Sequence, residues 1–448
     1  MSGVQPPPFA GAVFYCVLGS SLAFAGPALA HDWYVDGANG FQSNPGTHAR
    51  PFEYFWQAED VAQPGDTIYL EPTTVYSSLW VTTGGASGKP ITIVGTGIAP
   101  NMTQVVGQGP NFGVWVGASY VTVRGLDVTT WGPYSGIHVA DGQHNVTLTY
   151  NYVHDAGGDG IDVVGDDYVT ISYNTVARNA KNTAGNIFNS GISIKGSLDI
   201  DSNTGTKMYI IGNVVYGNTN VPDCGGDAAC LRSFRDSDGN GIILDNNRRT
   251  DLDNIWYKGR FLIANNVVFG NGGRGIHTYL SDHFTISDNS LYSNNQDPYE
   301  GNYRPGEITG DYVSDVLVAN NIMYSDGGAG VYNGSSTGTH VPISFEYCTT
   351  GFGQITIENN LGYRPQNDPA TSFLFAENNT ISIVRSSNFW GNPSYMNASL
   401  NPSNADFRLR PYSRALGKGL ASQSMPTDLL GAVRSTPTTI GAYENPAP

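Results

Sequence analysis

The chain has 448 residues, a formal net charge of −16, only 13% charged residues and 56 glycines. Scarce charge with abundant turn formers suits short strands and tight turns, and argues against a helical protein. The acidic balance excludes nucleic acid as a natural partner, and it opposes any polyanion unless a cation or a local basic patch intervenes.

The first segment reads as an export signal. Phe9 to Ala25 is apolar and small, and Ala28-Leu29-Ala30 is an A-x-A-like cleavage site ahead of His31. No Lys or Arg precedes the apolar run, which departs from the usual signal pattern. The run is short for a membrane span, and no later segment is apolar enough to be one. Residues 1–30 are therefore expected to be a signal peptide and the protein to be secreted or periplasmic. The rest, 31–448, is expected to be one domain. Its parts are an N-terminal cap with the first coils (31–100), central coils (101–400) and a C-terminal cap (401–448).

Asp32 to Gly37 predicts a strand and turn, Phe55 to Ala62 a short amphipathic helix, and Pro64 to Leu70 a turn and strand. A helix over the open end of a stack of strands would cover apolar core and unpaired edges. Further along, one phrase recurs: a β-branched run, an Asn, an apolar pair and a polar turn. It occurs around Asn151, Asn174, Asn213 and the Asn265-Asn266 pair, with later copies at Asn289, Asn321 and Asn360. The closest copies are 23 residues apart. A strand-bearing period in the low twenties predicts a β-solenoid. The repeated Asn is read as scaffold, bonding a sharp turn and its own copies above and below.

A second phrase is Gly-Ile-x-apolar, at Gly136, Gly160, Gly191, Gly241 and Gly275. Strand side chains alternate, so an inward Ile turns the next residue outward. This predicts an outward column of His138, Asp162, Ser193, Ile243 and His277. Beside it runs a second column of Ala140, Val164, Lys195, Asp245 and Tyr279. Trp131, Tyr134, Trp256 and Tyr257 lie where they could rim this strip and stack on sugar rings. Charged residues on a solenoid face can also be simply solvated. Lys195 is the candidate base for removing a proton next to a carboxylate. Such a base must be uncharged, a state that a nearby cation favours.

Three acidic clusters have metal-like spacing. Asp236-Ser-Asp238-Gly-Asn240-Gly241 matches the first half of a calcium loop, but Asn247 stands at its twelfth position. Asp199, Asp201 and Asn203 show the same alternation. Asp155, Asp159, Asp162, Asp166 and Asp167 form the third cluster. Asx turns explain any one of them equally well. Cys224 and Cys230 could close a local disulfide, and Cys348 is expected to be buried.

At these residues the chain resembles secreted pectate-lyase-like right-handed parallel β-helix proteins, closest to polysaccharide lyase family 9. Gly158-Asp159-Gly160-Ile161-Asp162 resembles the family's D-D-G-x-D calcium motif, which implies Asp159 and Asp162 as ligands. Gly191-Ile192-Ser193-Ile194-Lys195-Gly196 resembles its N-G-F-K-x-G segment, which implies Lys195 as the Brønsted base. The departures are Gly158 for the first Asp of the pair, His138 where another calcium Asp would fall, and a lysine two residues further along its strand.

The expectation is an all-β, single-stranded right-handed parallel β-helix with a short N-terminal capping helix. It would act as a monomer on an acidic polysaccharide by calcium-assisted β-elimination. Lys195 would be catalytic, with Arg274 or Arg235 holding the anion. His138, His277, Tyr279, Trp131 and Tyr257 would contact sugar, and Asp159, Asp162, Asp236, Asp238 and Asp245 would bind calcium. The rival readings are a glycoside hydrolase using Asp162 and Asp245, and a non-catalytic carbohydrate binder.

Overall fold

The computed structural model describes residues 30–181, 188–220, 238–250, 252–297, 306–326, 340–349, 351–365 and 373–444. The signal segment, Arg235, Asp236, Cys224 and Cys230 lie outside them.

Three long parallel sheets of 12, 10 and 11 strands wind around one apolar core. Each complete coil contributes one strand to each sheet. In a representative coil these are Ile137–Val139, His144–Thr149 and Tyr152–His154. The three sheets are called here the site sheet (ten strands), the base sheet (twelve) and the side sheet (eleven). Inward positions form apolar stacks, such as Ile137, Ile161, Ile192, Ile242 and Ile276, all buried. This is the right-handed parallel β-helix expected from the sequence, and parallel strands linked by crossovers take that hand.

The corner between base and side sheets is built as predicted. Asn151, Asn174, Asn213, Asn266, Asn289, Asn321 and Asn360 stack there, each Nδ2 donating to the Oδ1 of the next at 2.9–3.1 Å, ending on Asn388. The same amides donate to backbone carbonyls of the coil below, for example Asn174 to Leu148 at 2.9 Å. The residue before each Asn, such as Tyr150 or Asn265, takes the left-handed conformation that turns the chain.

A second ladder, not anticipated, lies at the corner between side and site sheets. Asn179, Asn218, Asn271 and Asn294 bond in series at 2.8–3.1 Å and end on the buried carboxyl of Glu307, 2.6 Å from Asn294 Nδ2. This ladder explains the Gly-Ile phrase. A Cβ on Gly191 would lie 2.6 Å from Asn218 Nδ2, and one on Gly241 2.9 Å from Asn271 Nδ2. Glycine therefore precedes the inward Ile at 160, 191, 241 and 275 because the ladder occupies space a side chain would need, whereas at Gly136 the Val153 side chain and the Gly160 carbonyl fill it.

Phe55–Val61 forms the N-terminal helix, burying Phe55 and Ala58 against the first strands. The C-terminal segment behaves differently from the expected end cap. It folds back along the flank of the solenoid. There Phe407, Leu409, Ala415 and Ile440 pack on Val267, Phe269, Ile322 and Leu361 of the side sheet's outer face. Backbone and side-chain bonds fasten it, including Gly441 N to Asn320 O and Asn265 Nδ2 to Thr427 O. Cys348 is a buried free thiol. Among the described residues no helix is long and apolar enough to cross a membrane.

Candidate active site

Strand pairing places both predicted columns in register on the site sheet. His138, Asp162, Ser193, Ile243 and His277 are successive partners, and Val164, Lys195, Asp245 and Tyr279 form the neighbouring row. The first column is a recessed floor, with Ser193, Ile243 and His277 buried. The second is open: the Lys195 side chain is 43% exposed and Tyr279 37%. Lys195 Nζ stands 3.7 Å from Asp245 Oδ2.

Asp162 binds His138, whose Nδ1 is 2.8 Å from Asp162 Oδ2. The His138 ring is held flat by Phe112, stacked at 4.4 Å and 10°. His277 Nε2 lies 3.1 Å from Asp311 Oδ2, one coil further on. Since His277 is 6% exposed, it offers little surface to a sugar. Trp131 is 76% exposed, in the turn that leads from the side sheet toward His138.

Asp159 is buried, and its Oδ1 accepts the Ser190 N–H at 2.6 Å. Burial, with repulsion from Asp162 and then Asp238, pushes its carboxyl well above the usual range. Burial also raises Asp238, against the pull of His277, Arg274 and Lys195. These mutual influences put Asp159, Asp162 and Asp238 in one electrostatic neighbourhood with Lys195, Arg274 and His277. Arg274 is buried, and its backbone N–H donates to Asn240 Oδ1 at 2.9 Å. Asp162 and Asp245 sit two coils apart in different columns, about 10 Å along the axis at about 4.8 Å per coil.

The other acidic clusters do not converge on this site. Asp167 is buried on the opposite side of the turn, where Lys207 Nζ contacts Asp167 Oδ2 at 2.7 Å, Asp199 Oδ1 at 2.8 Å and Asp201 Oδ1 at 3.3 Å. The calcium-like spacing of Asp199, Asp201 and Asn203 thus surrounds an ammonium of the chain itself. Lys207 is fully buried and faces the Tyr168 and Tyr257 rings at 5.1 and 5.2 Å. Tyr257 is a second correction. Its hydroxyl donates to Asp167 Oδ1 at 2.7 Å and the residue is 3% exposed, so it has no face for a sugar. Trp256 packs edge-on against Phe352 and under Arg248.

Asp155 belongs to the side sheet, bound by Arg178 at 2.5 Å, by Lys181 and by His154 Nδ1 at 2.7 Å. Those bonds outweigh burial and hold its carboxyl below the usual range. Asp166 accepts the Gln143 N–H, and burial beside Asp141 and Asp162 pushes its carboxyl up to about 9.

Among the described residues no three His, Cys, Asp or Glu side chains are grouped as a metal site. Asp159 lies near Asp162 and Asp238, but the three do not make a metal cage. Sequence reasoning missed Trp115 and Trp80, which continue the outward column toward the N-terminus, and Phe112, which stacks on its His138. The signal was present in the aromatic-bearing runs Leu79-Trp80-Val81 and Val114-Trp115-Val116, which alternate like the Gly-Ile strands.

No family model and no curated protein matches this sequence. Among solved structures, pectate lyase Pel9A aligns with a TM-score of 0.55 over 93% of this chain and 96% of its own, at 17% identity. An alginate lyase from a Paenibacillus species aligns at 0.41 over 74% and 91%, with 16% identity. A lacto-N-biosidase from Eubacterium ramulus aligns at 0.41 over 80% and 67%, also with 16% identity. The chain has the right-handed parallel β-helix fold of the pectate-lyase-like proteins.

Proposed function

We propose that this protein is a polysaccharide lyase that cleaves a uronate-containing chain by β-elimination. The observation that carries the reading is the grouping of one open amine, Lys195, with a buried guanidinium, Arg274, and the carboxylates Asp159, Asp162 and Asp238 on the outer face of the site sheet and in the turns that enter it. The similarity in fold to pectate lyase Pel9A supports it.

In this reading the buried Arg274 contributes positive charge from beneath the site and favours the sugar carboxylate there, without surface enough to grip it. Unprotonated Lys195 takes the C5 proton, the electrons left behind form the C4–C5 double bond as the C4–O bond breaks, and the departing oxygen takes a proton from solvent water. Asp245 then receives a charged partner when the amine becomes an ammonium. His138, fixed by Phe112 and Asp162, lines the groove, and Tyr279 and Trp131 offer exposed rings. Arg235 and Asp236 remain candidates outside the described residues. Calcium bound beside Asp159, Asp162 and Asp238 would neutralise the sugar carboxylate and acidify the neighbouring proton. That also resolves how a chain of charge −16 accepts a polyanion. The reading implies action outside the cytoplasm on a soluble or wall-bound polymer.

The test is to incubate the protein with pectate, alginate and glycosaminoglycans, with and without calcium, and follow ultraviolet absorbance of the unsaturated product. Lys195→Ala should cut that signal by about 10²–10⁴-fold, the scale of lost general-base catalysis, with circular dichroism unchanged. Reducing ends without new absorbance would mean hydrolysis and overturn the reading. Binding with no cleavage would leave a carbohydrate binder.

A further inference from the structure

The outward column of the site sheet does not stop at His138. One coil toward the N-terminus it holds Trp115, and one coil beyond that Trp80. The two indoles are 5.2 Å apart and tilted by 43°, and Trp80 is 45% exposed. An outward position on a solenoid contributes nothing to its core, so folding does not require a large apolar ring at either place. The backbone is nevertheless shaped to receive one: a Cβ on Gly117 would lie 1.9 Å from the Trp115 ring, so the indole lies over a residue with no side chain. Phe112, stacked on His138 and edge-on to Tyr134 at 5.1 Å, continues the aromatic surface to Asp162.

We infer that Trp80 and Trp115 form a sugar-stacking subsite, gripping the same polysaccharide several units away from the bond that breaks. This rests on the groove being a polysaccharide site. The chemistry suits the ligand: an indole face meets the C–H face of a pyranose ring, leaving carboxylates and hydroxyls in water. It also suits the charge, since stacking holds a polyanion without having to neutralise it. Trp115 and Trp80 lie three and four coils from Lys195, about 14 and 19 Å at about 4.8 Å per coil. A chain placed with its reacting unit at Lys195 reaches them only if it is several sugars long.

The Trp80→Ala/Trp115→Ala double variant tests this. Affinity gels and elimination rates are compared for long pectate and alginate chains and for trisaccharides, with Trp80→Tyr/Trp115→Tyr as the aromatic control. Affinity for long chains should fall about tenfold or more, the scale of one or two aromatic contacts. Trisaccharide turnover should not change, and the tyrosine pair should recover part of the loss. Long-chain affinity unchanged in the alanine variant overturns the subsite while elimination by the wild type still upholds the lyase. If the wild type binds a polymer without eliminating it and the variant loses that binding, the subsite stands and the lyase falls. A wild type that neither binds nor cleaves any of the polymers overturns both.

Discussion

Lys207 touches Asp167, Asp199 and Asp201, and only the last two are near it in sequence. Burial alone would disfavour its charge, but the bonds to Asp167 and Asp199 more than offset this and raise its pKa. Lys207→Met should therefore cost about 3–5 kcal/mol, because it leaves the buried Asp167 carboxylate without its counter-charge, as read from urea unfolding. Added calcium should restore part of the loss, since the Asp199-x-Asp201-x-Asn203 spacing remains. The sequence showed the acidic spacing but not the occupant, because an ammonium and a metal answer the same need. Tyr257 was misplaced for a related reason. Its burial depends on Asp167, 90 residues away in the chain. The order of His138, Asp162, Ser193, Ile243 and His277 was readable because strand alternation and the constant Gly-Ile phrase fix both register and direction.

At the level of strands and corners, the first asparagine ladder was legible and the second was not, although each member of the second follows one of the first by five residues: Asn174 and Asn179, Asn213 and Asn218, Asn266 and Asn271, Asn289 and Asn294. The first sits inside a constant β-branched phrase. The second opens onto loops of changing length, which hide the repeat. Gly191→Ala would push a methyl to 2.6 Å from both Asn218 Nδ2 and the Gly241 carbonyl. Melting should report a loss of about 1–3 kcal/mol, as in overpacked cores. Glu307 ends this ladder, and burial pushes its carboxyl up to about 8 from an ordinary 4.5. A raised pKa means the folded form keeps a proton that the unfolded chain has released. Stability from this group is complete below pH 4.5 and declines as pH rises toward about 8. Glu307→Gln keeps an acceptor for Asn294 and should flatten that decline, worth a few kcal/mol at pH 8, in denaturant titrations across this range.

Over the whole molecule, the solenoid gains coils in one dimension, and most contacts are to neighbouring coils. The C-terminal segment breaks this pattern by running along the flank and bonding coils that are far apart in sequence, from Asn265 to Asn320 and Asn359. Its expected place over the end followed from solenoid logic, whereas its real place follows from apolar side chains on an outer face, Val267, Phe269 and Ile322, that no inward-outward pattern demanded. A chain ending at residue 394 should expose that face, bind a hydrophobic dye and melt several degrees lower, while the site sheet keeps its register. The internal ammonium at the Asp167 corner has a further practical meaning. A counter-ion that is covalently part of the polypeptide cannot be dialysed away, so EDTA should leave the melting temperature nearly unchanged. Any inhibition by a chelator would then report on turnover rather than on collapse of the scaffold.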